Sequence, residues 1–127
     1  MLTEKDYCDY DTCVALKELG YIGSAHECEC FGAYFNFGKD IFTDSLDNTE
    51  IGTDEFLRVP LFLAQKWLRE EKRILILPDY NSFGWFCGIH YPITSVKMFK
   101  YTAKEVNSYE EALLEGVRES IKLLKEE

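Results

Sequence analysis

Two histidines and five cysteines are the side chains through which this 127-residue chain could do bond-making chemistry, and their spacing decides how far that idea carries. His26-Glu27-Cys28-Glu29-Cys30, with Cys8 and Cys13 upstream, has the composition of a zinc site. The single residue between Cys28 and Cys30 is too short a spacer for the C-x₂₋₄-C pairs that wrap a structural zinc. In a strand those two thiols share a face, each a small apolar group. A reactive thiolate there needs a cationic neighbour, whereas Glu27 and Glu29 disfavour it. His26, Cys28 and Cys30 therefore stand as the alternative metal set, and no metal or other cofactor is expected. His90 follows Cys87 by three residues, which puts the two on opposite faces of a strand and makes them a poor nucleophile–base pair.

The carboxylates are many but unpaired across any cleft that the sequence defines. Asp44, Asp47, Glu50 and Asp54 crowd one polar stretch without the D-x-[DN]-x-[DN]-G register of a calcium loop. No G-x-G-x-x-G, Walker loop, G-x-S-x-G or H-E-x-x-H occurs, so the signatures of nucleotide, hydrolase and metalloprotease sites are missing. The sequence reads as that of a non-enzymatic protein.

The net charge of −9 is unevenly placed. Residues 1–56 hold three lysines against thirteen Asp and Glu, a net of −10, and residues 57–127 carry +1. No cluster of Lys and Arg is available to displace counterions from a duplex, so direct nucleic-acid binding is not expected. An acidic face suits a basic protein partner, with Asp44, Asp47, Glu50 and Asp54 as its contact. The opening MLTEKDYCDYD is neither a signal nor a transit peptide, and the longest aliphatic run, Ile74-Leu75-Ile76-Leu77, falls far short of the ~20 residues of a membrane span. The expected setting is the cytoplasm, without membrane contact, and five cysteines with no secretory leader read as reduced thiols.

Helix and strand signals place these residues. Asp9 is an N-cap and Gly20 a C′ residue for a short helix, with Cys8 and Cys13 at the two positions of a hydrophobic staple. Residues 28–37 alternate, with Phe31, Ala33, Phe35 and Phe37 on one face, and Ile41-Phe42 begins a short return strand. An acidic loop fills about 43–55. Pro60 opens a second helix whose stripe is Leu61, Ala64, Trp67 and Leu68. Residues 73–77, apolar on both faces, read as a central strand, followed by turn chemistry at Pro78-Asp79-Tyr80-Asn81-Ser82. Residues 83–91 put Phe83, Trp85, Cys87, Ile89 and Tyr91 on one face and Gly84, Phe86, Gly88 and His90 on the other. Residues 96–101 form the next strand. Ser108 and Glu111 make a capping box for a last helix with a stripe of Leu113, Leu114, Val117, Ile121 and Leu124.

The order is α-β-(β)-α-β-β-β-α. It predicts an α+β fold, a single domain over 1–127 in which an antiparallel sheet of three to four strands packs against about three helices. Two glycines on one strand face leave room for a helix or for a ligand at the backbone. Tyr80, Asn81, Gly84, Phe86, Gly88 and His90 are therefore the candidate small-ligand site, polar groups beside aromatics. An aromatic-rich chain with an unpaired sheet edge is also a candidate homodimer.

TCVALKELGY in the first helix, PLFLAQKWLREEKRILILP in the middle and SYEEALLEGVRESIKLL at the end together resemble a family of small proteins from gut anaerobes and their phages and mobile elements. That family has no established activity to carry over. The acidic 38–56 stretch and the CEC segment depart from its pattern. The S-Y-E-E-A start of the last helix is also similar to the antitoxin half of toxin–antitoxin pairs. The resemblance implies a phage- or mobile-element-related interaction protein that occupies a host protein partner. A nucleotide-like ligand binder or sequestering protein and an antitoxin-like partner protein are the alternatives.

Overall fold

The computed structural model of the chain describes residues 3–23, 34–35, 41–42, 52, 54–93, 96–102 and 104–126. It divides into two compact units, Met1–Pro60 and Leu61–Glu127. Both mix helix with antiparallel strand, which is the expected α+β class in roughly the expected order.

In the first unit a 3-10 turn at Glu4–Asp6 precedes α1 (Tyr10–Glu18). Asp9 caps α1, its carboxylate accepting the Thr12 N–H at 3.0 Å. At the other end Gly20 takes φ 102°, and the N–H groups of Gly20 and Tyr21 return to the carbonyls of Lys17 and Leu16. That pair of bonds is a Schellman motif, open at low cost only to a glycine. Cys8 and Cys13 are buried as the staple requires, and the Cys13 sulfur accepts the Val59 N–H at 3.4 Å. Three two-residue strands, β1 (Tyr34–Phe35), β2 (Ile41–Phe42) and β3 (Phe56–Leu57), pair antiparallel in the order β2-β1-β3. The Tyr10 ring meets Phe35 and Phe56 edge-on at 5.5 and 5.7 Å, which ties α1 to this small sheet. The sequence pattern predicts no strand between the acidic loop and Pro60, so β3 is an addition. Of the alternating face proposed for residues 28–37, Phe35 is described and buried; Phe31, Ala33 and Phe37 lie outside the described residues.

The second unit begins with α2 (Leu61–Glu71), directly after Pro60, and continues into β4 (Leu75–Asn81), β5 (Gly84–Ile93), β6 (Val96–Tyr101) and α3 (Tyr109–Lys125). The sheet order is β4-β5-β6, both pairs antiparallel, with Leu77, Gly88 and Tyr101 in one cross-strand row. β4 is an edge strand rather than the central one that its apolar run suggests. Pro78 explains the difference: a residue without an N–H sits in a strand only where no neighbour needs that donor. The central strand is β5, and its own Pro92 falls where β4 has already ended and only β6 remains beside it.

Helix α3 packs on β4 and β5, and α2 packs on α3 and β4. The Ser108 hydroxyl accepts the Glu111 N–H at 3.2 Å, while the Glu111 carboxylate reaches back to the Asn107 N–H, one residue beyond the expected cap. The predicted stripe is present at Leu113, Val117 and Ile121; Leu114 and Leu124 are half-buried. Small residues one turn apart, Ala112, Gly116 and Ser120, are buried beside that stripe. A Cβ on Gly116 would lie 2.6 Å from Ile76 Cγ2 and 2.9 Å from the Cys87 sulfur, so this glycine sets how closely helix and sheet approach. In α2, Leu63 joins Leu61, Ala64 and Leu68 in the core, and Trp67 is half-buried with the Lys72 ammonium 5.4 Å from its ring centre.

Candidate functional site

Strand alternation assigns every residue of β5 to a side. Trp85, Cys87 and Ile89 point to α3, and Cys87 and Ile89 are fully buried there. Gly84, Phe86, Gly88 and His90 lie on the opposite, outer face, as the sequence pattern predicts. Across the ladders this face takes in Leu75, Leu77, Asp79 and Asn81 of β4 and Lys97, Phe99 and Tyr101 of β6. Leu75, Leu77, His90, Phe99 and Tyr101 are all exposed, Leu77 by 43% and Tyr101 by 60%.

The space above the two glycines is used by the chain itself. A Cβ on Gly88 would meet the Phe99 ring at 3.0 Å, because Phe99 and Tyr101, in edge contact at 4.7 Å, lean over the bare backbone. Gly84 has φ 142°, and a Cβ there would lie 2.6 Å from the Val106 carbonyl oxygen. Val106 forms a bridge with Trp85, its N–H and C=O both bonded to the Trp85 backbone at 2.7 and 2.8 Å. Neither a helix nor a ligand is needed to account for these glycines: one is covered by aromatic rings, the other by backbone.

The six residues singled out as a ligand site are not brought to one place. The strand runs through Asp79 and Tyr80 to Asn81, leaving only Ser82 and Phe83 as the hairpin loop. Tyr80, which pairs with Trp85, therefore falls on the helix side, its ring 5.1 Å from Trp85, which in turn meets Tyr109 of α3 at 5.8 Å. The Asn81 amide is engaged in the turn: its Oδ1 accepts the Phe83 N–H at 2.8 Å and its Nδ2 donates to Glu105 at 3.4 Å. Phe86, Gly88 and His90 remain together on the outer face, where the His90 ring meets Phe99 at 4.5 Å, tilted by 53°.

Phe83 is not a strand residue of the Trp85 side. It sits in the loop, 84% exposed, beside Tyr80 at 67%. Tyr80, Trp85 and Tyr109 make a run of ring contacts at this end of the sheet, the exposed Glu105 is bonded to Asn81 of the hairpin, and Phe83 projects from the loop itself. The sequence carried a signal for it: Asn81 followed by Ser82 is an Asx-turn pair, which forces the next large side chain out of the strand.

The thiol and metal candidates divide. Cys87 is buried and donates to the Ala112 carbonyl at 2.9 Å; burial above all pushes its thiol up from 9.0 to about 12, with a backbone bond at Gly116 opposing the rise and the nearby Glu115 charge adding to it. It is not a nucleophile at neutral pH. His90 lies on the other face, so the two do not meet. His26, Cys28 and Cys30 lie outside the described residues, as do Asp44, Asp47 and Glu50 of the acidic contact; Asp54 is described and exposed. Among the described residues no group of His, Cys, Asp and Glu is placed to hold a metal ion, and no helix is long and apolar enough to cross a membrane. In the first unit Arg58 is buried, stacked 4.0 Å over the Tyr7 ring and paired with the exposed Glu4.

No protein-family model, curated protein or solved structure matches the chain.

Proposed function

We propose that this chain is a non-enzymatic interaction protein that works by occupying a protein partner, and that the hairpin tip makes the contact. The observation that carries the reading is the exposure of Phe83 in a two-residue hairpin loop, with the exposed Tyr80 at the end of the adjoining strand. Large aromatic side chains held out by a short hairpin loop lose little rotamer freedom on docking and supply most of the energy of small interfaces. The exposed carboxylates of Asp79, next to Tyr80 in sequence, and Glu105, bonded to Asn81, together with the −10 charge of residues 1–56 favour a partner whose apolar pocket has a basic rim. In the mobile-element setting that the sequence resemblance implies, the partner is a host protein.

The reading is tested by placing a photo-crosslinking amino acid at position 83 and, as a control, at the exposed Lys66 of α2, and irradiating the protein in a clarified extract of cells of the source organism. One species is expected to crosslink from position 83 and not from 66. Its yield falls as salt rises, and added unlabelled protein competes it away. A Phe83→Asp/Tyr80→Asp protein that competes as well as the unaltered one overturns the assignment.

A further inference from the structure

The outer face of the β4-β5-β6 sheet is a second surface, and it differs from the hairpin tip in charge. The neighbouring exposed residues Leu75, Leu77, His90, Phe99 and Tyr101 form an uncharged centre, with Asp79 in the Phe86 row on one side and Lys97 in the Pro92 row on the other, so that the face carries one acid and one base. In a chain of net charge −9, this is a place where two copies can meet without setting carboxylate against carboxylate.

We infer that this face binds a second copy of the chain, as a weak twofold dimer packed sheet on sheet. A twofold axis running along β5 between the sheets exchanges the two edges and leaves each cross-strand row in place. Leu77 then faces the partner's Tyr101, Leu75 faces the partner's Phe99, and the same contacts recur in reverse, so leucines of β4 meet rings of β6 twice. Gly88 lies on the axis, and its bare backbone with the rings leaning over it keeps the centre shallow enough for close packing. At strand spacings of ~4.8 Å and ~3.3 Å per residue, such a face gives up roughly 500 Å² per copy, a total of about 1,000 Å². That is the size of transient interfaces, so the dissociation constant belongs on the order of 100 μM.

Sedimentation of the full chain from micromolar to millimolar concentration tests the inference. A monomer–dimer equilibrium is expected, and it tightens with added salt, because screening relieves the repulsion between two acidic chains. This is opposite to the salt dependence expected of a basic partner at the hairpin tip, so the two readings fail separately. Leu77→Asp and Tyr101→Lys, both at exposed positions, each weaken the dimer at least tenfold while the chain still unfolds in a cooperative melting transition. An equal mixture of the two variants recovers dimer, since the carboxylate introduced in one copy then faces the ammonium introduced in the other. A monomer at all concentrations overturns the inference, and rapid or slow labelling of Leu77→Cys then separates a bare face from one covered by another segment of this chain. A dimer indifferent to both variants also overturns it, since the contact then lies elsewhere.

Discussion

The two faces of the β4-β5-β6 sheet are built from the same strands in the same register, and each offers apolar side chains, yet only one is a core. On the inner face Ile76, Cys87 and Ile89 are fully buried under α3. On the outer face Leu75, Leu77, Phe99 and Tyr101 are exposed, while Gly88 is buried beneath rings and Phe86 is half-buried. The difference does not lie in the strands. It comes from α3, whose small residues Ala112, Gly116 and Ser120 fit one side of the sheet to within van der Waals contact. A strand that is apolar on both sides is thus compatible with two different outcomes: a fully buried core strand, or a core face backed by a binding face.

The largest effect that separates the faces is truncation. Ile89→Ala removes a fully buried side chain beneath α3 and is expected to cost about 3 kcal/mol in urea unfolding. Leu77→Ala on the outer face should cost less than about 1 kcal/mol in dilute solution. Equal losses would mean that the outer face is covered within a single chain, and the comparison would collapse.

Next in size is the glycine that sets the approach of the helix. In Gly116→Ala the new methyl meets Ile76 and the Cys87 sulfur at distances that force one of them to move. Overpacking a core in this way costs typically ~1–3 kcal/mol, against a gain of about 1 kcal/mol in helix propensity. A net loss of roughly 1–2 kcal/mol is expected from thermal or urea unfolding. A stabilised variant would show that α3 does not sit as close to β4 and β5 as the structure places it.

Much of this was legible in the sequence, and the places where it was not have physical reasons. Asp9, Gly20 and Ser108 announce helix ends because caps are local chemistry, satisfied by backbone groups three to five residues away. The alternation of β5 and the extent of β6 were equally readable. The reach of β4 was not, because Pro78-Asp79-Tyr80-Asn81-Ser82 has the composition of a turn. On an edge strand, however, a proline is harmless, and the strand carries on to Asn81. That extension decides the site: it moves Tyr80 to the helix side and turns Phe83 from a strand residue into an exposed tip. The filling of Gly84 and Gly88 was hidden for another reason, since Val106 and Phe99 reach them from elsewhere in the chain and leave no local trace.

A buried thiol on the inner face gives a pH signature that the outer face lacks. The folded state holds Cys87 protonated up to about 12, while the unfolded chain ionises near 9.0. A raised folded-state value means that stability is full below pH ~9 and declines as pH climbs towards 12, because only the unfolded state releases the proton. Lys100, raised mainly by its hydrogen bond to Glu119, acts in the same direction at higher pH. Its surface exposure keeps that contribution small. Cys87→Ala lowers stability at neutral pH but should flatten the alkaline limb relative to the unaltered chain. An unchanged alkaline slope, or rapid reaction of Cys87 with a thiol reagent in the native state, would place this side chain outside the core.

The smallest expected effect is the most informative about the outer face. Gly88→Ala sets a methyl against the Phe99 ring at 3.0 Å, closer than an ordinary contact. Unlike Ile76 or Cys87 beneath α3, Phe99 is exposed and has solvent on its far side, so its ring can swing away by a few tenths of an ångström. Alanine also restricts the unfolded chain, a gain of about 0.4–1 kcal/mol where the backbone conformation suits it. The two terms nearly cancel, and the monomer should change by no more than ~0.5 kcal/mol in either direction. The displaced ring, however, stands further from the centre of the sheet, so the same variant should weaken self-association while leaving stability almost untouched. A loss as large as that of Gly116→Ala would mean that Phe99 is held from both sides, and that the outer face is closed as firmly as the inner one.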